Sequence, residues 1–136
     1  ETTNTADAIL TQLVRVARSI YSMPPDHGAA IVHEVLDNKP LRELWTEELT
    51  TMRKRIQGLR RDAVQQLKRT CPQRDFGYIE TQRGMFSYLG ITVDQVRALQ
   101  ARHHVYMTDD SRINIAGLRR DNLEYFAQSV AKVLAA

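Results

Sequence analysis

Arg112 heads an alternating run, Arg112-Ile113-Asn114-Ile115, directly after the polar turn Asp109-Asp110-Ser111. If the run is a strand, Ile113 and Ile115 share one face and Arg112 and Asn114 the other, because successive strand side chains alternate. Phe86 and Tyr88 likewise point away from Met85 and Ser87. An arginine set on a rigid strand can hold a planar fork of donors toward a carboxylate and make two parallel hydrogen bonds. The local rival is that Arg112 pairs with Asp109 or Asp110 in its own turn.

The other chemistry-bearing residues lack company. His103 and His104 are adjacent, which in an extended segment sends them to opposite faces, and no third ligand accompanies them, so no metal site is assigned. His27 beside Gly28 reads as a turn residue, and His33 lies on a helix face. The chain has no Gly-rich phosphate loop, no Ser-His-Asp order and no paired-carboxylate arrangement that points to acid–base work, and no catalytic residue is assigned within it. Cys71 is the only cysteine, which excludes a disulfide within the chain and fits a reducing, cytoplasmic compartment.

Nineteen basic against 16 acidic residues leave a net charge of +3. Seven of the basic residues crowd one stretch: Arg53, Lys54, Arg55, Arg60, Arg61, Lys68 and Arg69. A stripe for nucleic acid or an acidic partner is one reading. The same helix opens with Glu43, Glu47 and Glu48, however, and acid first with base last complements a helix dipole on a solvated face. That second reading is the stronger.

These residues need elements to position them. At 136 residues the chain fits one domain of ordinary size with a single core. No apolar run approaches the roughly 20 residues of a membrane helix. The opening "ETTNTADAIL" has no basic start and no long apolar stretch, so no signal peptide is expected. It also lacks a methionine, and position 1 is expected to be a processed, proteolysed or engineered end.

Ile9, Leu10, Leu13, Val14, Ala17 and Ile20 recur at helical spacing, with Thr5 as the expected N-cap. "YSMPPDHG" should stop that helix through Pro24, Pro25 and Gly28. A second helix over "AAIVHEVLDN" ends before Pro40. Trp45, Leu49, Met52, Ile56, Leu59, Ala63 and Leu67 then line a helix from about Leu41 to Arg69, roughly 43 Å long at 1.5 Å per residue. Such a helix joins a coiled coil or bridges two bodies. Gly58 inside it costs about 1 kcal/mol relative to alanine, which points to a bend or close packing.

Beyond Pro72 the texture turns to strands. "DFGYIETQ" and "MFSYLG" suggest a hairpin about Arg83-Gly84, and "HVYMT" and "RINIAG" a second. Between them "TVDQVRALQARHH" is a helix, with Thr92 and Gln95 spaced as a capping box. A last helix from about Asp121 to Leu134 should bury Leu123, Phe126, Val130, Val133 and Leu134. The second half thus reads β-β-α-β-β-α, an α+β layer with helices on one face of a small sheet. There is no repeat, low-complexity run or linker, so any domain boundary falls inside the long helix.

Several separated segments, "RSIYSMPPDHGAAIV", "LRELWTEELTTMRKRIQGLR", "RGMFSYLGIT", "QVRAL" and "SRINIAGL", share a further property. In order and spacing they resemble the C-terminal third of the aspartate and aromatic amino-acid aminotransferases. These are homodimeric pyridoxal-phosphate enzymes of fold type I, and the resemblance covers almost the whole chain. It implies an α+β piece of an α/β family. Residues 1–45 would be the C-terminal remnant of the large cofactor domain, and residues 46–136 the small C-terminal domain with its long interdomain helix.

The same resemblance implies that Arg112 grips the substrate α-carboxylate and that Phe86 lines the substrate side of the pocket. Arg18 would reach the neighbouring subunit's site and bind a distal carboxylate. The implied activity moves an amino group between aspartate, glutamate or an aromatic amino acid and a 2-oxo acid through pyridoxal phosphate. The Schiff-base lysine, the aspartate at the pyridine nitrogen and the main phosphate grip would lie upstream. Lys39, Lys54 and Lys68 lack the family's Ser-x-x-Lys spacing, and Lys132, although three residues after Ser129, falls in the expected last helix, so no cofactor-binding residue is assigned and the piece alone is expected to be inactive.

Two positions depart from the family pattern. Met23 stands where aspartate-specific members carry asparagine, and Arg119-Arg120 replaces a threonine-proline pair, leaving the last helix less well capped. The competing expectation is a stand-alone, non-catalytic binding module whose basic helix contacts nucleic acid or an acidic partner. Residues before about Trp45 are expected to lack partners for their apolar faces when isolated, and so to be mobile, to dimerise or to pack nonnatively.

Overall fold

A computed structural model describes residues 3–23 and 25–135. The chain divides into two units, residues 1–47 and 48–136. The first holds α1 (Thr3–Tyr21), α2 (His27–Asp37) and the opening of α3 (Lys39–Thr70). Thr5 lies in the first turn of α1 rather than at its cap, because neither Thr3 nor Asn4 interrupts the helix. Ser22 ends α1 by taking a left-handed φ of 63° and donating its N–H to the Arg18 carbonyl at 3.1 Å. Pro24, part of the expected proline stop, lies outside the described residues.

The turn expected at His27-Gly28 is instead the first turn of α2, which Asp26 opens by accepting the Ala30 N–H at 2.9 Å. Asn38 then starts α3, its side chain accepting the Leu41 N–H at 3.4 Å and its carbonyl the Arg42 N–H at 2.9 Å. The helix therefore begins before Pro40, which sits where a missing N–H costs nothing. On the apolar stripe of α1, Ile9, Leu10, Leu13 and Ile20 are all more than half exposed.

The second unit contains the core. The later half of α3 contributes Leu59, Ala63, Val64 and Leu67. Around it lie α4 (Tyr78–Thr81), β1 (Phe86–Tyr88), α5 (Val93–His103), β2 (Arg112–Asn114), a 3-10 turn at Ile115–Gly117, and α6 (Leu123–Leu134). The capping box of α5 is present, with Thr92 N–H on Gln95 Oε1 at 3.0 Å and Gln95 N–H on Thr92 Oγ1 at 3.3 Å. Leu123, Phe126, Val130 and Val133 are buried on α6, while Leu134 is only partly so. No side chain caps α6, since Asn122 Oδ1 accepts the Arg119 N–H at 2.9 Å instead.

The expected pair of hairpins does not form. Among the described residues the sheet has two strands, β1 antiparallel to β2, giving α-β-α-β-α where β-β-α-β-β-α was expected. In "DFGYIETQ" the buried residues are Phe76 and Ile79, three apart, which is a helical step. Asp75 Oδ1 accepts the Gly77 N–H at 2.7 Å and Phe76 the Ile79 N–H at 3.0 Å, closing a turn locally. "HVYMT" does alternate, with Val105 and Met107 partly buried around an exposed Tyr106. Alternation alone brings no ladder partner, and β2 pairs with β1. "RINIAG" ends as a strand at Asn114, whose side chain accepts the Ala116 N–H at 3.0 Å and turns the chain.

Gly58 is buried on α3, but an ideal Cβ there would meet only the tips of Arg120 and Arg61, at 3.9 and 4.0 Å. No close backbone approach requires the glycine.

Candidate functional site: an arginine over an aromatic ring

The strand register places Phe86 opposite Asn114, Ser87 opposite Ile113 and Tyr88 opposite Arg112. The Leu89 N–H reaches the Ser111 carbonyl at 3.0 Å and the Ile115 N–H the Met85 carbonyl at 2.8 Å. Phe86–Asn114 and Tyr88–Arg112 are therefore non-hydrogen-bonded pairs, the kind whose side chains approach most closely. All four of these side chains are exposed on one face, and Ser87 and Ile113 are buried on the other.

On the exposed face the Arg112 guanidinium carbon sits 5.2 Å from the centroid of the Phe86 ring, within cation–π range. Among the described residues no carboxylate lies within ion-pair distance of that guanidinium. The turn aspartates are occupied otherwise. Asp109 pairs with Arg97 at 3.5 Å, and Asp110 accepts the Thr108 hydroxyl and the Arg112 backbone N–H, the latter at 3.2 Å. The Thr108 bond, then the Arg112 backbone bond and charge, hold the Asp110 carboxyl below the ordinary carboxylate range despite some desolvation.

Both ends of the strand pair are pinned. Ser111 takes a left-handed φ of 65° and is buried, its hydroxyl accepting the Gly90 N–H at 3.0 Å. Tyr78 donates its hydroxyl between the carbonyls of Tyr88 and Leu89, at 3.0 and 3.1 Å. Burial raises the Tyr78 phenol's pKa, outweighing the opposing Arg74 charge, so the hydroxyl stays a donor. Past β2, Arg55 holds the Ala116 carbonyl at 3.2 Å and the Leu118 carbonyl at 3.2 Å.

The feature that the run of charges concealed is Arg60. It is 2% exposed and donates to Ile79 O at 2.8 Å, Ser87 Oγ at 2.6 Å, and Gly84 O and Phe86 O at 2.9 Å each. Burial lowers its pKa, yet a guanidinium remains protonated in proteins. The solvated-face reading of the seven basic residues is therefore wrong for Arg60, and the basic stripe loses that member to the interior. A signal was present: Arg60 stands four residues after Ile56 and three before Ala63, inside the apolar register of α3.

Of the three singled-out residues, Arg112 and Phe86 meet. Arg18 belongs to the first unit, exposed in the last turn of α1. The chain's lysines lie on α3 and α6, with none on the two strands. The exposed face thus offers guanidinium donors for a carboxylate and an aromatic ring but no amine, and its residues do not by themselves fit a carbonyl-bonding cofactor.

Residues 2–130 match the family described as aminotransferase class I and II. The chain is 44% identical over 126 residues to an aspartate aminotransferase of Pseudomonas aeruginosa, covering 93% of this chain and 32% of that protein. It is 46% identical over 117 residues to a tyrosine aminotransferase of Rhizobium meliloti, covering 86% and 30%. Among solved structures it resembles the aromatic-amino-acid aminotransferase of Burkholderia pseudomallei covalently bound to pyridoxal phosphate. That likeness has a TM-score of 0.91 and 43% identity, over 98% of this chain and 34% of the other. The chain spans about a third of the length of the relatives it matches.

Proposed function

This chain belongs to the class I and II aminotransferase family, and from that premise we propose that it is the C-terminal part of a pyridoxal-phosphate-dependent aminotransferase. Residues 1–45 belong to the large cofactor domain in this reading, and residues 46–136 form the small domain. The whole protein moves an amino group between an amino acid, acidic or aromatic, and a 2-oxo acid. It works as a cytoplasmic homodimer. The cofactor, when bound, supplies the carrier that accepts the amino group and hands it on.

This chain's own part is recognition. Arg112 receives the substrate α-carboxylate by two parallel hydrogen bonds, with the Phe86 ring beside its guanidinium. That leaves the substrate's nitrogen end to groups outside the chain. Arg18 binds a distal carboxylate in the neighbouring subunit's site, and Met23 in place of an asparagine loosens the demand for an acidic side chain. Without an amine of its own on the strand face, the 136-residue chain alone does not transaminate.

The observation that carries this reading is a guanidinium carbon 5.2 Å from the centroid of a phenyl ring, with no described carboxylate within ion-pair distance. Its test is Arg112→Lys in the full-length protein. Loss of the fork should lower kcat/KM for the amino acid by about 10–100-fold, since a point charge keeps at most one of two charged hydrogen bonds. An unchanged kcat/KM would overturn the assignment.

A further inference from the structure

Phe86 and Tyr88, as non-hydrogen-bonded pairs with β2, turn their own carbonyls away from it, toward the outer edge of β1. Such an edge normally needs a third strand or water. Here the Phe86 carbonyl is taken by Arg60 Nη2 at 2.9 Å and the Tyr88 carbonyl by the Tyr78 hydroxyl at 3.0 Å. Two side chains stand in for the missing strand. Arg60 also gathers Gly84 O, Ile79 O and Ser87 Oγ, so the terminal nitrogens of one guanidinium tie four residues across the approach to β1.

A buried cation without a carboxylate is costly and persists only when hydrogen bonds offset its burial. The matched acceptors here belong to Ile79, Gly84, Phe86 and Ser87, and the ring of Phe86 is the one against Arg112. We propose that Arg60 is a positioning residue: by holding the Phe86 carbonyl from inside, it sets the ring against which the Arg112 fork is aimed. This rests on the reading of Arg112 as a carboxylate anchor. Arg60 touches no substrate, and lysine cannot replace it, because three donors on one nitrogen do not span carbonyls gathered by a planar fork.

The test is a double-mutant cycle in the full-length protein, reading the dissociation constant of 3-phenylpropionate, a probe with a single carboxylate, by calorimetric titration. Arg60→Lys should weaken binding about tenfold in the parent, as expected for one misdirected charged hydrogen bond. In an Arg112→Lys background the same change should weaken it less than about twofold, because residues acting through one another are not additive. An unchanged affinity in the parent, or an equal loss in both backgrounds, overturns the positioning role. If Arg112→Lys itself leaves affinity unchanged, the anchor reading fails, and Arg60's role fails with it. Should Arg60→Lys not fold, Ser87→Ala keeps the arginine and removes one acceptor. It should weaken the probe about threefold, again only when Arg112 is present. A lowered melting temperature with intact affinity would overturn the proposal.

Discussion

Ser87→Ala should cost far more stability than its size suggests. Ser87 is 2% exposed, and its hydroxyl accepts from Arg60 at 2.6 Å while donating to Gln82 Oε1 at 2.7 Å. Removing the oxygen leaves a charged N–H facing a methyl group in a place already closed to solvent. Gln82 is exposed, so water replaces its lost donor at little cost. The loss is then essentially that of one hydrogen bond to a charged group, about 2 kcal/mol.

Ser129→Ala is the matched control. Ser129 is also 2% exposed, but its hydroxyl bonds only the Tyr125 carbonyl at 2.8 Å, an acceptor that the helical ladder of α6 also serves. Losing that neutral bond, about 1 kcal/mol, is partly offset by alanine's better helix propensity, about 0.5 kcal/mol, so the net loss should stay near 0.5 kcal/mol. Urea unfolding followed by far-ultraviolet circular dichroism reads both. Tryptophan fluorescence does not, because the one tryptophan, Trp45, lies in the first unit. If the two variants lost equal stability, or Ser87→Ala lost under about 0.5 kcal/mol, the guanidinium must reach another acceptor and the cost assigned to its Ser87 bond is wrong.

Gly58→Ala should stabilise the protein by about 1 kcal/mol, the helix-propensity difference, because the new Cβ meets only flexible arginine tips at 3.9 and 4.0 Å; a lower urea midpoint would reveal crowding. For Asp110 the folded-state pKa lies below the ordinary value, chiefly through Thr108. Its contribution to stability is therefore present above the unfolded carboxyl pKa and lost as pH falls through the folded one. Thr108→Val should shift the Asp110 carboxyl titration, followed by carbon NMR, back up toward the ordinary range, and an unmoved midpoint would place the cause elsewhere.

The local sequence determined what each segment can be. Periodicity in α1, α3 and α6, the Thr92–Gln95 box, and the alternation that sets Arg112 and Asn114 against Ile113 and Ile115 are all read from neighbours a few residues apart. It also misled where two periods overlap. Phe76 and Ile79 looked like part of a strand until their shared burial, three residues apart, settled a turn.

Tertiary structure alone decided which strand β1 meets, that the Phe86 ring lies against Arg112, and that Arg60 sits inside the unit while Lys54 and Arg61 on the same helix face water. The reason is physical. Helical and turn bonds close within a few residues, so their cost and gain are written locally. A buried guanidinium becomes tolerable only when acceptors 19 to 27 residues away converge on it, and that convergence exists only once the chain has folded.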